Sequence, residues 1–265
     1  MANNSAFAEL ERASKELIEA SKYGDTQDRI DRILQILTII KMCEPKSQLF
    51  FGLDLLKSLR LMLVDSDKKL RVQACRAMRY ITCNQLILNN MIKLNIPIFI
   101  MICLEREDQK YYWERLGALK WIRHIIDNYP LSITKYCVMS LIGIASNGKH
   151  EYQRICLDSL RELCIINPLI IQKCNGFKIL IDLILNPSLT DISNHLILTI
   201  LYILDHPNTR KYLRPSLDIQ CLLSPFVGVN PYKKNALNKQ QIEHREKVRE
   251  IAEKTLMTML KSITG

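Results

Sequence analysis

A six-residue helical pattern returns along this chain at nearly constant spacing, and that recurrence limits the possible folds more than any other feature of the sequence. QILTII starts at Gln35, RAMRYI at Arg76, GALKWI at Gly117, DSLREL at Asp158 and LTILYI at Leu198, so the steps are 41, 41, 41 and 40 residues. Self-similarity at a period of roughly 20 to 50 residues marks stacked repeats, and a step near 41 has the length of an armadillo or HEAT unit. Three columns stay apolar in all five copies: Leu34, Cys75, Leu116, Leu157 and Ile197; Leu37, Met78, Leu119, Leu160 and Ile200; Ile40, Ile81, Ile122, Leu163 and Ile203. They lie three residues apart, which places them along one stripe of a helix and predicts that the stripe is buried against neighbouring repeats.

The breaks recur as well. Pro45, Pro130, Pro168 and Pro207 follow the core helix in four of the five copies. A proline disfavours helix at the residue before it and suits the first turn of the next helix, so each repeat is at least a helix, a sharp turn and a second helix. The second helices are expected at about Leu53 to Leu63, Ile96 to Leu104, Ile133 to Ile144, Phe177 to Leu185 and, shorter, Asp218 to Leu223. With only 8 Gly and 9 Pro, the chain also lacks the turn formers that many short strands require. The expected architecture is an all-α, armadillo/HEAT-type α-solenoid of about five to six helical repeats with a period near 41 residues. Its expected divisions are a helical lead-in over 1–24, repeats over 25–226, an exposed loop over 227–242 and a C-terminal helix over 243–265 that continues the solenoid.

Chemistry-bearing motifs do not accompany the repeat. GxGxxG, GxxxxGK[ST] and GxSxG are all missing, which excludes those phosphate-binding and hydrolase classes. The five histidines (124, 150, 195, 206 and 244) have neither HxxxH nor HExxH spacing, and no catalytic, cofactor or metal residue is assigned. The nine cysteines (43, 75, 83, 103, 137, 156, 164, 174 and 221) stand singly in mostly apolar helical stretches, without a CxxC pair, and read as reduced core thiols. The N-terminal stretch lacks a basic segment followed by an apolar core, and the longest apolar run, Ile96 to Leu104, is far shorter than the ~20 residues of a membrane span. A cytoplasmic protein is expected.

The formal charge is +10, which points to an acidic partner of some kind. No RNP-like, zinc-finger or basic-zipper pattern is present, so nucleic acid is not the expected partner. Arg79, Lys120 and Arg161 share one column at intervals of 41, each one residue after a position of the buried stripe. Such a ladder would receive an acidic peptide, a phosphorylated segment or an anionic lipid, or would simply be a solvated ridge whose stems cover apolar side chains. The column reads Thr38 and Leu201 at its ends, so any patch is local. The basic loop residues Lys233, Lys234 and Lys239 read as solubility charges. Trp113 and Trp121, eight apart on one helix, are expected to point the same way, as core or as a peptide-binding shelf.

The segments RVQACRAMRYI (71–81), ERLGALKWIRHII (114–126), MSLIGIASN (139–147) and LDHPNTRKYLRPSLDIQCLLSPF (204–226) resemble the Rictor family, called pianissimo in amoebae, the rapamycin-insensitive companions of the target-of-rapamycin kinase. The resemblance spans roughly residues 27 to 260. The fourth segment is the most specific, because solenoid packing does not demand its histidine-proline turn, tyrosine and late serine-proline-phenylalanine. The resemblance implies a non-catalytic scaffold subunit of TOR complex 2 that helps to assemble the TOR kinase, a Sin-type adaptor and a WD-repeat subunit. It further implies signalling to AGC kinases and the actin cytoskeleton, and peripheral recruitment to membranes as part of the complex. Members are much longer than this chain, which implies a fragment or a truncated product. The alternative is a generic armadillo-type adaptor that binds an acidic or phosphorylated peptide along Arg79, Lys120 and Arg161.

Overall fold

A computed structural model of the chain describes residues 2–43, 45–106, 108–147 and 151–184, and beyond them residues 197, 198, 201, 203, 207–211, 213, 239, 240, 242–244, 246, 247, 249, 250, 253 and 254. The chain is all-α. The helices whose ends fall among the described residues are α1 (Ala2–Tyr23), α2 (Thr26–Met42), α3 (Leu53–Met62), α4 (Lys68–Ile81), α5 (Gln85–Lys93), α6 (Ile96–Glu105), α7 (Tyr112–Asn128), α8 (Lys135–Ser146), α9 (Gln153–Ile166), α10 (Pro168–Lys173), α11 (Gly176–Ile184) and the single turn α12 (Pro207–Arg210). Short polar side chains set several of the starts by accepting from backbone N–H groups that lack a partner within the helix. Asp25 accepts from the Asp28 N–H at 2.8 Å, Asp67 from Leu70 at 2.9 Å and Asn84 from Ile87 at 3.0 Å. Pro97 and Pro168 occupy first-turn positions, where a missing N–H costs nothing.

The chain divides into two compact units, Met1–Cys137 and Val138–Gly265. In the first, α1 packs on α2, α2 on α4 and α4 on α7, while α3 lies against α1 and α4, and α6 lies against α5 and α7. In the second, α9 contacts α10 and α12, and α10 contacts α11. Equivalent positions of α2, α4, α7 and α9 are buried: Leu37, Met78, Leu119 and Leu160 at 5% exposure or less, and Ile40, Ile81, Ile122 and Leu163 at 0%. Burying a side chain of this size contributes about 1.5–3 kcal/mol each.

The first of the three expected columns is only partly interior. Cys75, Leu157 and Ile197 are buried, but Leu34 is 37% exposed and Leu116 is half-buried. The interior is taken up instead by the residue one step earlier, Ile33, Ala74, Arg115 and Cys156. At 3.6 residues per turn, steps of three drift backwards by about 60° each, so a column placed two steps from the centre of the stripe reaches its edge. Two helices were not expected from the sequence, α5 and α10. Each is followed by an asparagine in the left-handed region, Asn95 at φ 56° and Asn175 at φ 55°, and then by α6 or α11. The second helices expected in the first four copies are present as α3, α6, α8 and α11, within two residues at each boundary. The fifth partner helix (Asp218 to Leu223), Ile200 and most of 226–265 lie outside the described residues.

Eight of the nine cysteines are described. Seven are buried and Cys83 is half-buried, and all are free thiols. Burial pushes the Cys83, Cys103 and Cys137 thiols up to about 11 and Cys156 to about 12, which keeps them protonated at neutral pH. Among the described residues no single helix is long and apolar enough to cross a membrane. The apolar pair α5 and α6 is bent by 80°, and Ile96, Ile100, Met101, Cys103 and Leu104 of α6 are core residues.

Candidate binding groove between α4 and α7

Two buried networks fix α4 against α7. In the first, the Glu114 carboxylate is fully buried and accepts from the Arg71 guanidinium through both oxygens, at 3.1 and 2.9 Å, and from Arg106 at 2.6 Å. Arg71 also donates to the Asp65 and Ser66 carbonyls at 2.7 and 2.8 Å, so the turn before α4 is tied to the same centre. The hydrogen bond to Glu114, opposed by burial, raises the Arg71 guanidinium above its ordinary value. In the second network the Thr82 hydroxyl, at the end of α4, accepts from the Trp121 indole at 3.2 Å and donates to the Met78 carbonyl at 2.6 Å. The His124 Nε2 meets the Thr82 carbonyl at 2.6 Å. Between these two pins Gly117 lets the helices approach closely, since a Cβ there would stand 3.1 Å from Cys75 Sγ.

On the outer side of this junction the two helices enclose a groove of about 410 Å³. Val72, Gln73, Arg76, Arg79 and Tyr80 line it from α4, and Trp113, Leu116, Gly117 and Lys120 from α7. The α7 set follows i, i+3, i+4, i+7 spacing, which makes one helix face. Arg76 and Lys120 are exposed, and the Arg79 guanidinium lies 4.6 Å over the Tyr80 ring. Lys41 of α2 approaches the same ring at 5.9 Å. Burial pushes the Tyr80 phenol up, but the charges of Arg79, Lys41 and Arg76, with a hydrogen bond from Arg79, outweigh it and hold the phenol below its usual value. Among the described residues none of Lys41, Arg76, Arg79 and Lys120 forms an ion pair, whereas Arg123, on the same helix as Lys120, is paired with Asp127 at 2.9 Å. Gln73 carries a buried side-chain oxygen with no hydrogen-bond partner among the described residues.

Arg79 and Lys120 thus line one groove, while Arg161, half-buried on α9, belongs to the second unit. The expectation that Trp113 and Trp121 point the same way is corrected: Trp113 is 59% exposed at the groove and Trp121 is 1% exposed in the core. Eight residues amount to two turns and about 80° more, enough to carry one ring from surface to interior. Lys239 is exposed, 4.0 Å from Glu243, while Lys233 and Lys234 lie outside the described residues. Arg76, Tyr80 and Gln73 escaped the sequence reading because they are not in the repeating column. Their signal is helical spacing, with 73, 76 and 80 at i, i+3 and i+7 on one face of α4. Among the described residues no group of His, Cys, Asp and Glu is placed to hold a metal ion.

The described chain is therefore an all-helical protein of successive packed helices, with an unneutralised cationic and aromatic groove on its first unit. The sequence profile described as "Rapamycin-insensitive companion of mTOR, N-term" matches residues 36–265, and the chain belongs to that family, the Rictor family. Protein pianissimo A of Dictyostelium discoideum is 35% identical over 175 residues, covering 66% of this chain and 15% of that protein. The human Rapamycin-insensitive companion of mTOR is 30% identical over 181 residues, covering 66% of this chain and 10% of that protein. The target of rapamycin complex 2 subunit TSC11 of Saccharomyces cerevisiae is 22% identical over 186 residues, covering 70% and 13%. The matched region is thus a small part of the length of each relative. A solved engineered protein superposes with a TM-score of 0.49 at 13% identity, over 91% of this chain and 98% of its own, a likeness too loose to argue from.

Proposed function

We propose that this chain is a non-catalytic scaffold segment of TOR complex 2. The observation that carries this reading is the family match across residues 36–265, joined by relatives whose names place them in that complex. In this reading the helices form an armadillo/HEAT-type α-solenoid of about five to six repeats with a period near 41 residues. The succession α1, α2, α4, α7, with equivalent positions buried in each core helix, supports it, because a solenoid repeat buries its apolar face only against its neighbours. The extended surface helps to assemble the TOR kinase with a Sin-type adaptor and a WD-repeat subunit in the cytoplasm and at the membrane periphery. The outputs are phosphorylation of AGC-family kinases and control of the actin cytoskeleton.

Affinity capture of the tagged chain from lysate of its own organism, with mass spectrometry of the retained proteins, tests this directly. Recovery of the TOR kinase and its adaptor subunits is expected. A chain that is helical by circular dichroism yet retains none of them would count against the assignment.

A further inference from the structure

We propose that the groove between α4 and α7 is a docking site for a phosphorylated peptide segment of a partner protein, with the phosphate held by Arg76, Arg79 and Lys120 and a neighbouring apolar side chain laid on Trp113. The charge comes first. Four cations, Lys41, Arg76, Arg79 and Lys120, converge on Tyr80 and the groove it lines, and among the described residues none is neutralised by a carboxylate. Like charges gathered without counter-charge repel one another and destabilise the fold, so the arrangement favours an incoming anion. A phosphoserine or phosphothreonine brings a charge of about −1.5 to −2 and three acceptor oxygens, and arginine guanidiniums take such a group through paired parallel hydrogen bonds. A carboxylate brings a single charge and only two acceptor oxygens.

The shape and the walls select a peptide. A groove of about 410 Å³ is of the size that encloses a small ligand, and here it matches one phosphorylated residue with a neighbour on either side. Trp113 stands 59% exposed at the groove, edge-on to Tyr112 at 5.1 Å, and provides an apolar face beside the cations. Gln73, its amide oxygen unpartnered, sits on the wall between Val72 and Arg76, and rotation of that amide would present a donor and an acceptor to an extended main chain. A lipid headgroup has no main chain to meet it. The groove is also concave, whereas a flat anionic membrane is met by protruding cations.

The site stands apart from the complex assignment, and the two fail separately. The test uses the full 265-residue chain and a fluorescein-labelled peptide pool, degenerate at every position except a central phosphoserine, read by fluorescence anisotropy. Phosphate removal should weaken binding by about tenfold or more, as a charge-assisted pair worth one factor of ten implies. Arg76→Glu and Lys120→Glu, both at exposed positions, should do the same, and Trp113→Ala should weaken binding about threefold to tenfold. Arg161→Glu should leave the affinity unchanged. Arg79→Glu is informative only if its melting curve matches the parent, since Arg79 is half-buried, and Arg79→Lys serves in its place. Three outcomes would overturn the proposal: binding insensitive to the phosphate, binding unaffected by Arg76→Glu and Lys120→Glu, or binding only to phosphatidylinositol-phosphate vesicles that the peptide pool does not displace. Capture of the TOR kinase by the Lys120→Glu chain would leave the scaffold reading intact whichever way the groove behaves.

Discussion

Among the described residues Glu114 is the one fully buried carboxylate, and three features meet on it: the start of α4, the end of α6 and the start of α7. Replacing Glu114 by Gln leaves Arg71, only 8% exposed, with its charge uncompensated. Removing one partner of a buried pair costs about 3–5 kcal/mol, and urea unfolding should register a loss of that order. Gly117 gives a second test. Its replacement by Ala gains about 1 kcal/mol in helix propensity, but the new methyl meets Cys75 Sγ at 3.1 Å, and overpacking of this kind costs about 1–3 kcal/mol. Gly117→Ala should therefore be neutral to destabilising alone, and clearly less so in a Cys75→Ala background, so that a double-mutant cycle shows coupling. At this scale the sequence was only partly legible. Periodicity marks where an apolar residue belongs, and it placed Leu119 and Ile122 well. It is blind to a buried charge such as Glu114, whose place depends on Arg71, 43 residues away. It also fails for Trp113, because a spacing of eight runs about 80° past two whole turns.

The core helices α2, α4, α7 and α9 were legible because each carries several buried apolar positions at helical spacing and ends near a proline or a polar turn. Helices α5 and α10 were not. In α5 the buried residues Ile87, Leu88 and Met91 run on toward the apolar stretch that becomes α6, and no proline or glycine separates the two. The separator is Asn95, whose left-handed backbone at φ 56° turns the chain between helices, as Asn175 does after α10. That conformation costs an ordinary L-residue about 1–2 kcal/mol, while asparagine tolerates it and glycine adopts it freely. Asn95→Ala should lower stability by about 1 kcal/mol and Asn95→Gly should leave it nearly unchanged, as thermal melts of the two variants would reveal. The groove obeys the same logic: its α7 wall was foreshadowed by Lys120, but a wall made by two helices exists only once both are packed.

Across the whole molecule, the thiols give folding a pH dependence that runs opposite to the familiar acid loss. Burial raises Cys83, Cys103 and Cys137 to about 11 and Cys156 to about 12, while the same thiols titrate near 8.5 once unfolded. Below that unfolded value both states are neutral and stability is full. As pH rises from about 8.5 toward 11, the unfolded chain ionises first and stability falls. The melting temperature should drop steadily between pH 8.5 and 10.5, and cysteine-to-alanine changes at these positions should flatten the slope even where they lower the melting point itself. A slope unaltered by those changes would place its origin elsewhere. At this scale the helical class was open to sequence reading, because it depends on pattern alone. The division at Cys137 and Val138 falls inside a helix, α8, where no change of composition marks it.

The opposite settings of the two tryptophans have a practical consequence. Trp121, buried and hydrogen-bonded to Thr82, will emit at short wavelength and shift to the red only when the core opens. Trp113, largely in water at the groove, will emit further to the red and be quenched freely by iodide. The chain thus carries two separable optical reporters: Trp113→Phe leaves one that follows unfolding, and Trp121→Phe leaves one that follows occupancy of the groove, with no label attached.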